Sequence, residues 1–83
     1  MTYSVWVGLF EYPPVHWKDF ERKEEAIREA KEYVEEHGGY AEVWDDERNE
    51  CIYMCYDSYD VSPELYRQII FSSIPRVVEE VLR

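Results

Sequence analysis

Residues 22–37 place the strongest constraint on the fold of this chain. Ala26, Ile27, Ala30, Tyr33, Val34 and His37 recur at helical spacing and make one apolar stripe. The opposite side is charged, with Glu24–Arg28, Arg28–Glu32 and Lys31–Glu35 four apart and of opposite sign, which supports a solvated helical face. Gly38-Gly39 then supply a left-handed stop. The spacing predicts an amphipathic helix from roughly Arg22 to His37. Such a helix must bury its stripe against a second layer.

That layer is expected to be a sheet. Residues 2–11 alternate, with Tyr3, Val5, Val7 and Leu9 on one side and Ser4, Trp6, Gly8 and Phe10 on the other. Large apolar groups on both sides suit a central strand, and Pro13-Pro14 end it because proline cannot donate to a ladder. Residues 15–20, with His16, Trp17 and Phe20, read as a connection. Residues 40–46 and 51–57 read as a hairpin around Glu47-Arg48-Asn49-Glu50, where Asn49 tolerates positive φ. Ala41 and Val43 share one face of its first arm, and Tyr40, Glu42 and Trp44 share the other. On the second arm Ile52, Met54 and Tyr56 oppose Cys51, Tyr53 and Cys55, with the inward set left open. Ser62-Pro63-Glu64 open a helix with Leu65, Ile69 and Ile70 apolar. Ser72-Ser73-Ile74-Pro75 break it, and a last helix carries Val77, Val78, Val81 and Leu82. The expected fold is α+β, one domain over residues 1–83 in the order β-α-β-β-α-α. It has a three-stranded, largely antiparallel sheet with the long helix packed on one face.

A chain of 83 residues buries only about 60% of its unfolded surface, so 14 aromatic residues matter to its core. Hydrophobic content of 46% with three Gly and four Pro excludes a disordered acidic tail. No apolar run of about 18 residues predicts a membrane span. No basic and apolar leader opens the chain, and there are two cysteines, so the expected compartment is the reducing cytoplasm.

The negative charge is concentrated. Of the net −10, residues 40–64 hold eight acids and one base, Arg48, interleaved with Tyr40, Trp44, Tyr53, Tyr56 and Tyr59. Such a surface repels nucleic acid and anionic membrane and attracts a basic protein. The candidate partner-binding residues are Glu42, Trp44, Asp45, Asp46, Glu47, Glu50, Asp57 and Asp60. Trp6, Phe10, Tyr40 and Trp44 point away from the Val5, Val7 and Val43 side. They make either a second small core under the C-terminal helices or an exposed aromatic patch with an acidic rim.

Chemistry-bearing patterns are weak. Cys51 and Cys55, four apart on a strand, share a face about 13 Å apart, too far for a disulfide and wrong for a zinc knuckle. They read as small buried hydrophobes. His37 suits a last helical turn, and His16 packs beside Trp17. Asp45-Asp46-Glu47 and Asp57/Asp60 lack the twelve-residue loop with a central glycine that an EF-hand needs. No nucleophile motif, phosphate loop or basic stripe is present. The expectation is a non-enzymatic protein without cofactor or metal.

Size, charge and the β-α-β-β-α layout together resemble small acidic inhibitors of host defence encoded by viruses, the anti-CRISPR proteins. The resemblance is of class and transfers no residue role. It implies a viral protein in the host cytoplasm, with Trp44-Asp45-Asp46-Glu47, Asp57 and Asp60 as a nucleic-acid mimic that blocks a nuclease or surveillance complex. The partner would be a basic protein or nucleoprotein complex, with no direct nucleic-acid or membrane contact. The alternatives are a homodimer or accessory protein joined through the aromatic face, and a domain using that face to bind a cationic or neutral small ligand.

Overall fold

The computed structural model describes residues 2–9, 12–62, 64–65 and 79–81, the last three through their backbone course alone. In chain order the elements are β1 (Tyr3–Gly8), β2 (Val15–Phe20), α1 (Lys23–His37), β3 (Tyr40–Asp45), β4 (Glu50–Tyr56) and β5 (Glu79–Val81). The strands form one sheet in the order β2-β1-β3-β4-β5. The first four pair antiparallel with one another, and short β5 runs parallel to β4. β2 and β3 therefore point the same way with β1 between them. The crossover that parallel strands require is supplied by α1.

The three-stranded sheet and the β-α-β-β-α-α order are thus corrected. The segment read as a connection is strand β2, and every β2 side chain except that of Phe20 is exposed. No apolar period marks it, because its ladder with β1 comes from the backbone. The bulge between Val5 and Trp6 leaves Trp17 without an opposite residue and turns it toward α1. There its Nε1 donates to Glu29 Oε2 at 2.8 Å and its ring meets Tyr33 edge-on at 5.1 Å. The second correction is at the C-terminus: residues 79–81, expected in a last helix, are strand β5. Ser62 does accept from the N–H of Leu65 at 3.1 Å, as a helix cap would. The rest of the two C-terminal helices lies outside the described residues, as do Phe10, Glu11 and Pro63.

The helix follows its sequence pattern closely. Ala26, Ala30 and Val34 are buried against Val5, Val7, Ala41, Val43, Tyr53 and Cys55 of the sheet. The two alanines let the helix axis approach closely, and Ile27, Tyr33, Tyr3 and Phe20 close the sides. Glu24 and Glu25 lie in the first turn, where the helix dipole favours acids. Gly38 ends the helix at φ 75°, its N–H donating to Val34 O at 2.8 Å.

A second bulge, between Val43 and Trp44, pairs Val43 with Tyr53 and Trp44 with Cys51. It separates Cys51 from Tyr53 and Cys55. Cys55 lies in the helix-side core, whereas Cys51 joins Tyr40, Met54, Tyr56 and Val61 on the opposite face, with Trp44 and Leu65 beside them. The two cysteines therefore do not share a face.

Gly39 is the position least tolerant of a side chain. Its φ is 75°, and a Cβ there would lie 2.2 Å from the backbone oxygen of Gly8. The contact is to backbone, so no rotamer relieves it. Gly39→Ala is expected to destabilise the fold by about 1–3 kcal/mol, while Glu36→Ala on the solvated helix face changes little. Urea unfolding of the two variants checks this.

Candidate functional site

The site lies on the sheet face opposite α1. Alternation along β1 sends Ser4 and Trp6 to this face, and alternation along β3 sends Tyr40, Glu42 and Trp44 there. The ladder sets Trp6 opposite Glu42 and Ser4 opposite Trp44, so the two tryptophans stand on a diagonal with the carboxylate and hydroxyl between them. The β4 side of the face is filled by the second cluster around Tyr40, Met54 and Tyr56. Over β1 and β3 a recess of about 280 Å³ remains, lined by Ser4, Trp6, Glu42 and Trp44, with Pro14 and the turn residues Asp46 and Asn49 at its sides.

Hydrogen bonds fix the walls. Trp44 Nε1 donates to Glu42 Oε1 at 3.1 Å, and Trp6 Nε1 donates to Ser4 Oγ at 3.1 Å. Ser4 Oγ in turn donates to Asp46 Oδ1 at 2.7 Å. Both indole N–H groups are thereby used two residues back along their own strands, which leaves the rings themselves to a ligand. His16 on β2 meets Trp6 edge-on at 5.4 Å, and its Nε2 lies 2.7 Å from Asp19 Oδ1.

Glu42 is the unusual group. It is only 1% exposed, and its Oε2 has no hydrogen-bond partner among the described residues. Burial pushes its carboxyl up to about 7, against a smaller opposing effect of the Trp44 hydrogen bond. Its influence reaches its neighbours. Burial first, and then the nearby Glu42 carboxylate, push the Cys51 thiol up to about 12 and raise the Tyr40 phenol. Cys51 is thus held as a thiol, the unreactive form.

The eight candidate residues do not form one surface. Glu42, Trp44 and Asp46 meet at the recess. Glu47 is exposed on the adjacent turn, and half-buried Glu50 opens β4 opposite Asp45. Asp45 is buried and holds the hairpin turn: its Oδ1 accepts from the N–H groups of Glu47 at 3.1 Å and Arg48 at 3.3 Å. Asp57 and Asp60 lie at the other end of β3 and β4, roughly 20 Å away by strand rise. Asp57 is buried and accepts from the N–H of Tyr59 at 2.9 Å. Asp60 Oδ2 accepts from the N–H of Gly39 at 3.3 Å. Trp6 was legible as part of the aromatic face. Ser4, Pro14 and the His16–Trp6 contact were not, although the alternation of residues 4 and 6 with 42 and 44 carried the signal for Ser4.

Comparison with protein-family models, curated proteins and solved structures finds no match. Among the described residues, no group of three or more His, Cys, Asp or Glu side chains is placed to hold a metal ion. No described helix is long and apolar enough to cross a membrane.

The buried carboxyl has a consequence for stability. Its pKa is about 7 in the folded chain against 4.5 as the ordinary value, so the folded state holds the proton more tightly than the unfolded state. Stability therefore falls as pH rises from about 4.5 to 7 and stays reduced above that. At about 1.4 kcal/mol per pKa unit the loss is on the order of 3 kcal/mol. Glu42→Gln removes the titration. The variant is expected to gain on the wild type between pH 4.5 and 8 by that amount, as read by urea unfolding at both pH values; a constant difference would refute it.

Proposed function

We propose that this chain is a small acidic protein-binding module that occupies a basic surface on a partner protein, without catalysing a reaction. The observation that carries the reading is the recess over β1 and β3, where two tryptophans and two acids converge on one open sheet face. Aromatic anchors beside carboxylates recognise basic side chains, and a net charge of −10 steers a basic partner in quickly. Competition for a surface that ordinarily holds nucleic acid is the specific form we propose, with inhibition by blocking in the manner of the anti-CRISPR class. Asp46 and Glu47, exposed on the hairpin turn, are the acids best placed to extend contact beyond the recess. Asp45 contributes by holding the turn that presents them, whereas Asp57 holds the turn at the far end of the strands.

A partner captured from lysates of candidate hosts, released by salt and then purified, provides the test. Asp46→Lys with Glu47→Lys is expected to weaken its binding by at least about tenfold and to flatten the salt dependence. Glu32→Lys with Glu36→Lys on α1 is expected to leave binding nearly unchanged. Asp45 is left in place because its carboxylate holds the turn. Equal losses from both pairs would sink the assignment to this face.

A second reading, self-association, has one observation in its favour. Leu9, Tyr12, Val15 and Trp17 are all exposed, along or next to edge strand β2, and the first three line a further recess of about 220 Å³ with Tyr33. Sedimentation over a range of concentrations distinguishes it. A concentration-dependent dimer disrupted by Val15→Lys supports this reading, and a monomer throughout refutes it.

A further inference from the structure

We propose that the recess between Trp6 and Trp44 is a binding site for an alkylammonium head group, supplied in the complex by a lysine side chain of the partner. Only the source of the ammonium rests on the function proposed above; the site itself stands on its own geometry.

Four observations point to this ligand. Among the described residues no lysine or arginine lines the recess, whereas Glu42 and Asp46 do, so the local field favours a cation. The walls are two indoles whose N–H groups are already engaged by Ser4 and Glu42. Tryptophan faces are the strongest aromatic partners for a cation. Glu42 Oε2, buried and without a partner among the described residues, is a site whose desolvation cost a bound cation would offset. Finally, a volume of about 280 Å³ lies below the range usual for drug-sized ligands and suits a single side-chain head group.

The arrangement of acceptors favours ammonium over guanidinium. Asp46 Oδ1 is already taken by Ser4 and Glu42 Oε1 by Trp44. The second oxygens, Glu42 Oε2 and Asp46 Oδ2, stand on separate side chains, which suits a point charge better than a planar fork that needs two acceptors side by side. The groups around Glu42 act in the same direction. Tyr40 on its own strand and Cys51 on β4 are neutral in the physiological range. Asp46 in the turn adds negative charge, and His16 on β2 is countered by Asp19. Loss of the Glu42 carboxylate in acid, and any positive charge on His16, both oppose a bound cation. Affinity is therefore expected to rise with pH through neutrality.

The three tryptophans make the test internal to the molecule. Trp6 and Trp44 line the recess, whereas Trp17 packs on Tyr33 on the helix side. In the full chain labelled with nitrogen-15, n-butylammonium is expected to shift the indole signals of Trp6 and Trp44 saturably and to leave Trp17 unmoved. Binding is expected to be at least about tenfold weaker at pH 5.5 than at pH 8, and about tenfold weaker or more in Glu42→Gln. No shift, an equal shift with butan-1-ol, tighter binding of n-propylguanidinium, or equal movement of Trp17 would each overturn the ammonium site. Because the wild-type spectra decide this, failure of a variant to fold leaves the result intact. Competition by Nα-acetyl-lysine methylamide supports the side-chain source, and butylammonium binding that this compound cannot displace overturns that source. Failure to find any basic partner would count against the proposed function alone.

Discussion

The antiparallel pairing of β1 with β3 is the constraint on which the rest of the structure depends. It sets Val5 against Val43 and Val7 against Ala41 on one face, and Trp6 against Glu42 and Ser4 against Trp44 on the other. The first set is the floor on which Ala26, Ala30 and Val34 of α1 pack. The second set is the recess. A slip of one residue in this ladder would exchange the two faces and bury tryptophans under the helix. Core and candidate site therefore share one register, and α1, by gripping one face, holds the other in shape.

This coupling explains where the fold places its acids. Three placements stand out. Asp45, Asp57 and Asp60 accept backbone N–H groups at the ends of β3 and β4, where short carboxylates close turns. Those on α1 face solvent or pair with bases, as Glu29 does with Lys18 at 3.5 Å. Glu42 is carried into a buried position on a sheet face by strand alternation, with aromatic rings on either side. Charge that looks continuous in the sequence is thus divided between acids that hold turns, acids that face solvent and the one buried in the sheet face.

Much of this was legible. The period and glycine stop of α1, the hairpin, the positive φ of Asn49, at 53°, and the two faces of β1 and β3 follow from local patterns. Strand β2 was hidden because an edge strand exposed on both faces needs no apolar alternation and is held by backbone bonds. The placing of Cys51 failed for a different reason. A bulge at Ile52 inserts one residue and reverses the faces that period-two counting assigns, and nothing local to that segment announces it. The acidic run was misleading in the opposite way. An aspartate two or three residues ahead of backbone donors in a turn is a local acceptor before it is a surface charge, and Asp45 and Asp57 carry that signature in their own sequence. Trp6 and Trp44 could be placed on one face, but which space beside them stays open depends on how far the second cluster reaches across β3, a tertiary fact.

Glu42 is then the residue that a stability argument cannot explain. A glutamine in its place would keep the oxygen that receives Trp44 and remove the charge that burial penalises. Small domains are stable by only about 5–15 kcal/mol, and a loss on the order of 3 kcal/mol at neutral pH is a large share of that. Nor does packing require a carboxylate, because the neighbouring positions on this face are filled by Met54, Tyr40 and Tyr56. A penalty of this size in the middle of a paired strand, between two fixed indoles, is the cost that the proposed cation site would offset on binding. Binding would turn a buried, unpartnered charge into a paired one, and folding and recognition would then depend on the same carboxylate.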